Sequence, residues 1–249
     1  MAGHSQFKNI MFRKGAQDAK RAKLFTRLGR EIVAAARLGG TDPDANARLR
    51  AAITDAKRAN MPKDRIQRAV QQGSGAGDDS NYEEIRYEGY GPGGVAIMVE
   101  AVTDNRNRTA AEIRSLFNKN GGSLGETGSV HFLFNRVGEI RYSADAAAPE
   151  AMFEGALEAG ADDVDSGEDG HVITCQAGDL HTVAEALEER IGAPQSVRLV
   201  WSPTTTVDLD QDGAEALFRL IDALEESDDV QDVSANAELS DDVAARLEG

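Results

Sequence analysis

The segment that decides the organisation of this chain is KRAKLFTRLGR, residues 20–30. Successive residues of a helix lie about 100° apart around its axis, so the spacing of the cations places them on one face. That face holds Lys20, Lys23, Arg27 and Arg30, and the opposite face holds Leu24, Phe25, Leu28, Ile32 and Ala35. The pattern predicts an amphipathic helix that packs through its apolar residues and leaves its cations in solvent.

The charge of the chain is divided unevenly along the sequence. The whole chain has 27 Lys and Arg against 43 Asp and Glu, a formal net charge of −16. Residues 1–75 contain 16 of the cations and 6 of the acids, which leaves 11 cations and 37 acids in residues 76–249. This asymmetry indicates that the basic part contacts nucleic acid, although a solvated helix face would also explain a row of cations.

Length and composition favour a globular protein of two or three domains, since the chain has 249 residues. No apolar run is long enough to cross a bilayer, and the N-terminal residues lack the apolar stretch of a secretion signal. We therefore expect a cytoplasmic protein. Cys175 is the only cysteine, which excludes an internal disulfide and a cysteine zinc site, and its alternating apolar surroundings predict a buried, inert thiol.

The basic part is predicted to be a bundle of three short helices. Glycines at 39–40 end the first helix, and Thr41 or Asp42 caps the second, with Pro43 in its first turn. The second helix runs to about residue 59 and the third ends near residue 73. The outer surface of the bundle is expected to carry Arg48, Arg50, Lys57, Arg58, Lys63, Arg65 and Arg68.

Residues 74–80 are small and polar and predict a linker, after which the apolar period changes to two. Paired strands are expected on either side of the glycine-rich residues 89–94. Phosphate-binding glycine loops lead from a strand into a helix, whereas this loop leads from strand to strand. It is therefore interpreted as a hairpin turn.

A helix is predicted over residues 110–119, with Thr109 and Glu112 as its capping box. Arg106 and Arg108 stand at its N-terminal end, where the helix dipole disfavours cations. Two cations in such a position are predicted to contact an anion. A strand is expected over residues 129–134.

The order of elements after residue 137 is strand, helix, two strands, helix and strand, which is the ferredoxin-like order. The segments that follow residue 203 supply elements that the strands before residue 136 lack. We therefore predict an α+β protein, in which an N-terminal three-helix domain precedes two ferredoxin-like α/β domains, one inserted into the other. The predicted domains are residues 1–77, residues 81–136 with 203–240, and residues 137–202, and the tail from residue 241 is expected to be a frayed helix or disordered.

Motifs of catalysis and metal binding are missing from the sequence. The four histidines lack the spacing of a zinc site, and there is no nucleophile elbow, Walker A sequence or dinucleotide fingerprint. The acidic loop at residues 165–170 has neither the third-position carboxylate nor the final glutamate of a calcium loop, and is interpreted as a solvated hairpin. The sequence favours a binding protein over an enzyme, with no cofactor and no metal.

Seven short motifs occur in a fixed order along the chain: AGHS at 2–5, RK at 13–14, DAKR at 18–21, NMPKD at 60–64, YGPGG at 90–94, TDNRNRT at 103–109 and GSV at 128–130. Together they resemble the YebC family, whose members are catalogued as probable transcriptional regulators in bacteria and include the mitochondrial translational activator of cytochrome c oxidase. The resemblance implies a helical N-terminal domain and two α/β domains, one inserted in the other.

Together these observations predict a non-enzymatic, DNA-binding transcriptional regulatory protein that acts through its basic N-terminal domain. The alternative is a ribosome-associated translation factor that binds rRNA or tRNA, and a third reading is a protein-interaction module that works through the acidic domains. Sequence-specific recognition of DNA bases is weakly supported, because Gln17 is the only amide side chain near the basic face. The predicted nucleic-acid contacts are His4, Lys8, Arg13, Lys14, Lys20, Arg21, Lys23, Arg27, Arg30, Arg106 and Arg108.

Overall fold

The computed structural model describes residues 21–75, 82–240 and 242–243, with side chains of the first helix described from Lys23 onwards. The chain divides into two compact units, one of Met1–Leu133 with Thr205–Gly249 and one of Phe134–Thr204. The second unit starts slightly before and ends slightly after the inserted domain predicted at residues 137–202. The helical part and the first α/β part, which were predicted as separate domains, fall within one unit.

The three predicted N-terminal helices are confirmed as α1 (Arg21–Gly39), α2 (Ala47–Arg58) and α3 (Lys63–Gly73). We call them the bundle. Each helix has apolar residues at helical spacing, and burial of these residues against one another holds the three together. The core of the bundle consists of Ile32, Val33, Ala35, Ala36, Leu49, Ala52, Ala56, Met61, Ile66 and Ala69.

The start of α2 differs from the prediction. The expected cap at Thr41 or Asp42 was wrong, because α2 begins at Ala47 and its N-cap is Asn46. The Oδ1 atom of Asn46 accepts a hydrogen bond from the backbone N–H of Leu49 at 3.0 Å. The side-chain amide of Asn46 is buried and also bonds to the end of α1. It therefore fixes the start of α2 more firmly than an exposed N-cap residue would.

Replacing Asn46 with alanine is expected to lower the free energy of unfolding by about 2 kcal/mol. The change removes the cap and two further bonds, in which Nδ2 donates to the carbonyl oxygens of Ala35 and Gly40, both at 2.8 Å. Urea denaturation of this variant and of Asn107→Ala, which alters an exposed asparagine, measures the difference. Equal midpoints for the two variants would contradict the role of Asn46.

The first α/β segment begins with the predicted hairpin, which is confirmed. Strands β1 (Glu83–Tyr90) and β2 (Ala96–Thr103) are antiparallel, with Tyr90 opposite Ala96. A 3-10 turn at Pro92–Gly94 joins them, and Gly93 has a φ of 72°, which favours glycine. Helix α4 (Arg106–Lys119) and the short strand β3 (Ser123–Leu124) follow.

Two predictions in this segment were wrong. The N-cap of α4 is Asn105, whose side chain accepts from the N–H of Arg108 at 3.1 Å, so Thr109 is not the cap. Thr109 is fully buried and bonds elsewhere. The strand expected over residues 129–134 is instead a turn that ends in the 3-10 helix His131–Leu133.

A buried carboxylate holds that turn in place. Glu88 of β1 is only 3% exposed, and it accepts hydrogen bonds from the backbone N–H groups of Gly128, Val130 and His131 at 2.9, 2.9 and 2.8 Å. Burial by itself raises the pKa of Glu88, but the three N–H donors and nearby His131 outweigh it and hold the pKa below its usual value. The turn is therefore fixed by an ionised side chain.

The second unit has the predicted ferredoxin-like arrangement. Its four strands form an antiparallel sheet in the order β5-β6-β4-β7, and both helices supply residues to the core of this unit. Its elements are β4 (Phe134–Tyr142), α5 (Pro149–Ala159), β5 (Asp163–Gly167), β6 (Gly170–Gln176), α6 (Leu180–Ile191) and β7 (Ser196–Pro203). Cys175 is fully buried in this core, and burial raises its pKa to about 11, which agrees with an inert thiol.

The chain then returns to the first unit. Strand β8 (Val207–Leu209) pairs in parallel with β10 (Ala237–Leu239), while β9 (Val230–Ala235) joins the main sheet in the order β3-β1-β2-β9. Between β8 and β9 lies α7 (Gln211–Glu225), which buries Leu217, Leu220 and Ile221 in the shared core. The fold class predicted from the sequence is thus confirmed.

Within the described ranges, no helix combines the length and the apolar character that a membrane span requires. The same ranges contain no group of three or more His, Cys, Asp or Glu side chains placed to hold a metal ion.

Candidate nucleic-acid interface

The predicted contact residues fall into three groups. His4, Lys8, Arg13, Lys14 and Lys20 lie outside the described residues, and Arg21 is described only through its backbone at the start of α1. Lys23, Arg27 and Arg30 lie on α1, and Arg106 and Arg108 lie at the start of α4.

The structure brings Arg30 and Arg108 together on one buried carboxylate, Asp229, which is 3% exposed. Arg30 forms an ion pair with Oδ1 of Asp229. A nitrogen of Arg108 lies 2.9 Å from Oδ2 of the same residue, and Thr109 donates its hydroxyl to Oδ2 at 2.6 Å. The α1 and α4 helices are therefore joined through the residue that precedes β9.

The protonation of this cluster follows from its contacts. Burial alone raises the pKa of Asp229, but the hydrogen bonds from Thr109 and Arg108 and the charges of Arg30 and Arg108 outweigh it and lower the pKa. The hydrogen bond with Asp229 in turn raises the pKa of Arg108. Asp229 is an anion in the folded protein at neutral pH.

This cluster corrects the expectation that the cationic face of α1 is unpacked. Arg30 is bound to Asp229, and Lys23 donates its ammonium to the carbonyl oxygen of Glu226 at 3.0 Å, just past the end of α7. A helix C-terminus attracts cations because its last carbonyl groups have no partner within the helix. Two members of the predicted free face thus bind the α/β part of their own unit.

The sequence contains a signal for this packing that the apolar periodicity alone does not reveal. Residues 32–36, IVAAA, are all buried, each at most 4% exposed. Five consecutive buried residues surround the helix axis, so α1 is covered on more than one side. A run of small apolar residues after a basic stripe indicates a helix that packs on two neighbours.

Most of the exposed cations of the bundle lie on α2 and α3. Arg68 pairs with Asp64 at 2.6 Å, and the guanidinium of Arg65 lies 5.5 Å from the centre of the Phe25 ring. Lys57 and Lys63 are exposed and make no ion pair within the part of the chain that the structure describes. Their ammonium groups are available to an external anion.

The connection between α2 and α3 has the form of a helix-turn-helix. Residues 59–62 join the two helices, with Asn60 at a φ of 59° and Met61 buried in the core. Both helices pack mainly on α1, which leaves one face of α3 open. That face presents Lys63, Asp64, Arg65, Gln67, Arg68 and Gln71.

Comparison with known proteins agrees with this architecture. Residues 5–76 match the family model described as the TACO1/YebC protein N-terminal domain. Residues 82–237 match the model described as the TACO1/YebC second and third domain, which is named Transcrip_reg. The chain belongs to the TACO1/YebC family.

One solved structure is a close relative of this TACO1/YebC chain. The crystal structure of a conserved hypothetical protein, Aq1575 from Aquifex aeolicus, superposes with a TM-score of 0.86 at 47% sequence identity. The match covers 90% of this chain and 93% of that chain. The match therefore extends over the helical part and both α/β parts of the chain.

For a TACO1/YebC protein, the notable point is which amide side chains the bundle exposes. Gln17, the one amide predicted near the basic face, lies outside the described residues. Gln67 and Gln71 are exposed on α3 one helical turn apart. Their i, i+4 spacing on a helix with exposed arginines is the signal that could have identified them.

Proposed function

We propose that this TACO1/YebC protein is a non-enzymatic, nucleic-acid-binding regulator of gene expression, and that its bundle binds duplex DNA through α3. The observation that carries the proposal is the open face of α3, where Lys63, Gln67 and Gln71 lie beside exposed arginines. Residues 21–75 contain 12 Lys and Arg against 5 Asp and Glu. We also propose a cytoplasmic location.

The lysine, glutamine and arginine side chains on this face support different parts of DNA binding. Lysine side chains displace counterions from phosphates and give affinity that falls steeply with salt. Glutamine and arginine read base edges in the major groove, glutamine pairing with adenine and arginine with guanine. A helix that follows a four-residue turn in a small bundle is the usual reading element.

The remaining predicted contacts complete this proposal. The cations before residue 21 are proposed to add phosphate contacts, together with His4 and Arg21; these cations are Lys8, Arg13, Lys14 and Lys20. The acidic residues 76–249 are repelled by the same phosphates, so the bundle end approaches first.

The alternative proposal is a ribosome-associated translation factor. It is favoured by the spread of cations over the bundle, since Lys57 and Arg58 on α2 lie outside the reading helix. Structured RNA is recognised mainly by shape and by phosphate contacts, for which a base-reading helix is unnecessary.

The test compares two variants, one expected to lose affinity for DNA and the other expected to lose the preference for a particular site. Lys57→Glu/Lys63→Glu should weaken binding to duplex DNA at least tenfold and reduce the slope of log affinity against log salt by about 2. Gln67→Ala/Gln71→Ala should keep binding to random DNA but lose the preferred site that the unmodified protein selects from a random-sequence pool. Fluorescence anisotropy at several salt concentrations measures the affinities, and selection from the random-sequence pool measures the site preference, with Arg219→Glu on α7 as the control.

Two results would decide against DNA. Selection of no preferred site by the unmodified protein, with salt-sensitive sedimentation alongside ribosomes that Lys57→Glu/Lys63→Glu abolishes, would make the translation factor the better proposal. Unchanged affinity of Lys57→Glu/Lys63→Glu for both DNA and ribosomal RNA would contradict binding through the bundle.

A further inference from the structure

The acidic part of the chain has an island of positive charge on α4. Residues 76–249 contain 11 Lys and Arg, and four of them, Arg106, Arg108, Arg114 and Lys119, lie within this one helix of 14 residues. Glu112 is the only acid in the helix, although the same part of the chain has 37 acids. Helix α4 is therefore locally basic in strongly acidic surroundings.

The residues of α4 separate into a packed face and an open face. Thr109, Ile113 and Phe117 are fully buried. The opposite stripe is Asn107, Ala111, Arg114 and Asn118, all exposed and spaced 4, 3 and 4 apart, which places them on one side of the helix. Ala111, Arg114, Ser115, Asn118 and Lys119 form a shallow, open surface along this side of the helix.

The cations at the two ends of α4 have different surroundings. Arg108 is neutralised by Asp229 and Asp104. Arg114 and Lys119 are exposed and make no ion pair with any residue in the described ranges. Arg114 and Lys119, with the amide of Asn118 and the hydroxyl of Ser115, supply the donor types that bind phosphate and sugar oxygens in protein–nucleic acid complexes.

The first turn of α4 is connected to the bundle. Arg30 of α1 and Arg108 of α4 bind the same carboxylate of Asp229, so α1 lies beside the first turn of α4. From that turn, α4 extends for about 20 Å, the length of about six nucleotide steps along one strand. A nucleic acid held by the bundle could continue along α4.

We propose that Arg114, Ser115, Asn118 and Lys119 form a second contact for the sugar–phosphate backbone of the nucleic acid that the bundle binds. The inference rests on the proposed function and extends it. The contact carries no base preference, because none of these side chains lies on a reading helix in a groove-binding motif. It adds affinity and fixes the direction of the bound strand relative to the acidic domain.

The experiment uses the full chain and the same fluorescent duplex. Arg114→Glu/Lys119→Glu should bind about tenfold more weakly than the unmodified protein and lower the salt slope by about 2. Arg219→Glu, which alters an exposed arginine on another helix of the same unit, should leave both quantities unchanged. Thermal unfolding of Arg219→Glu should be unchanged, and that of Arg114→Glu/Lys119→Glu should change only slightly, because Lys119 lies in the last turn of α4, where the helix dipole disfavours a negative charge.

The outcomes separate this inference from the proposed function. If Lys57→Glu/Lys63→Glu loses binding and Arg114→Glu/Lys119→Glu does not, the contact on α4 is refuted and the bundle interface stands. An equal loss in Arg219→Glu would show general repulsion by the acidic part, which also refutes a contact on α4. Failure of the unmodified protein to bind either DNA or ribosomal RNA would refute both proposals.

Discussion

Replacing Asp229 with asparagine is expected to lower the free energy of unfolding by about 3 kcal/mol. The substitution keeps the shape of the side chain but removes the negative charge that Arg30 and Arg108 share. Arg30 is the more affected partner, because its side chain is 17% exposed, whereas that of Arg108 is 48% exposed and can be hydrated in place. A cation left partly buried without its counter-charge costs more than the ion pair itself contributes.

The measurement is urea denaturation of Asp229→Asn beside Asp228→Asn. Asp228 is the preceding residue and is exposed, so the control removes one negative charge without disturbing a buried cluster. Native-state hydrogen exchange should also show faster exchange in α1 and the start of α4, with exchange in residues 134–204 unchanged. Identical denaturation midpoints for the two variants would show that the carboxylate of Asp229 does not hold these helices.

The Asp229 cluster also shows why part of the site was beyond sequence reasoning. The helices, the hairpin and the inserted ferredoxin-like unit could be predicted because their signals are local, such as apolar spacing and glycine turns. The partner of Arg30 is 199 residues away in the chain, and no periodic pattern links the two. In the sequence, the row of cations on α1 has the same spacing as a row of solvent-exposed cations. The sequence therefore predicted that these side chains are exposed.

Thr109 is a second example of a tertiary contact that overrides a local signal. Its spacing to Glu112 fits a capping box, but Asn105 also fits a cap for a helix that begins one turn earlier. The hydroxyl of Thr109 donates a hydrogen bond to Asp229 at 2.6 Å. The helix is capped by Asn105 instead, whose side chain accepts from the N–H of Arg108. Gln67 and Gln71, in contrast, were within reach of the sequence, since the predicted third helix already exposed that face.

Replacing Glu88 with glutamine is expected to lower the free energy of unfolding by about 3 kcal/mol at neutral pH. Both oxygens of the carboxylate accept hydrogen bonds. Oε1 accepts from the N–H of Gly128, and Oε2 accepts from the N–H groups of Val130 and His131. A glutamine keeps one acceptor oxygen, and its NH₂ group then faces a backbone N–H. Two donors face each other in a buried place, and neither finds an acceptor.

The effect depends on pH in a direction that the pKa of Glu88 fixes. Because the pKa is lower in the folded protein than the ordinary value of 4.5, the unfolded chain takes up a proton first as the pH falls. The contribution of the ionised carboxylate is thus complete above pH 4.5 and is lost as the pH falls through the lower folded pKa. The difference in the free energy of unfolding between the unmodified protein and Glu88→Gln should be constant near neutral pH and should become smaller below pH 4.5.

Urea denaturation between neutral and acidic pH tests this, with Glu83→Gln as the control, because Glu83 lies on the same strand and is exposed. The control should follow the unmodified protein at every pH. A stability difference for Glu88→Gln that stays constant through the acidic range would mean that shape, and not charge, fixes the turn at residues 128–131. The three N–H groups that converge on this carboxylate predict the opposite, since their hydrogen bonds weaken when it is protonated.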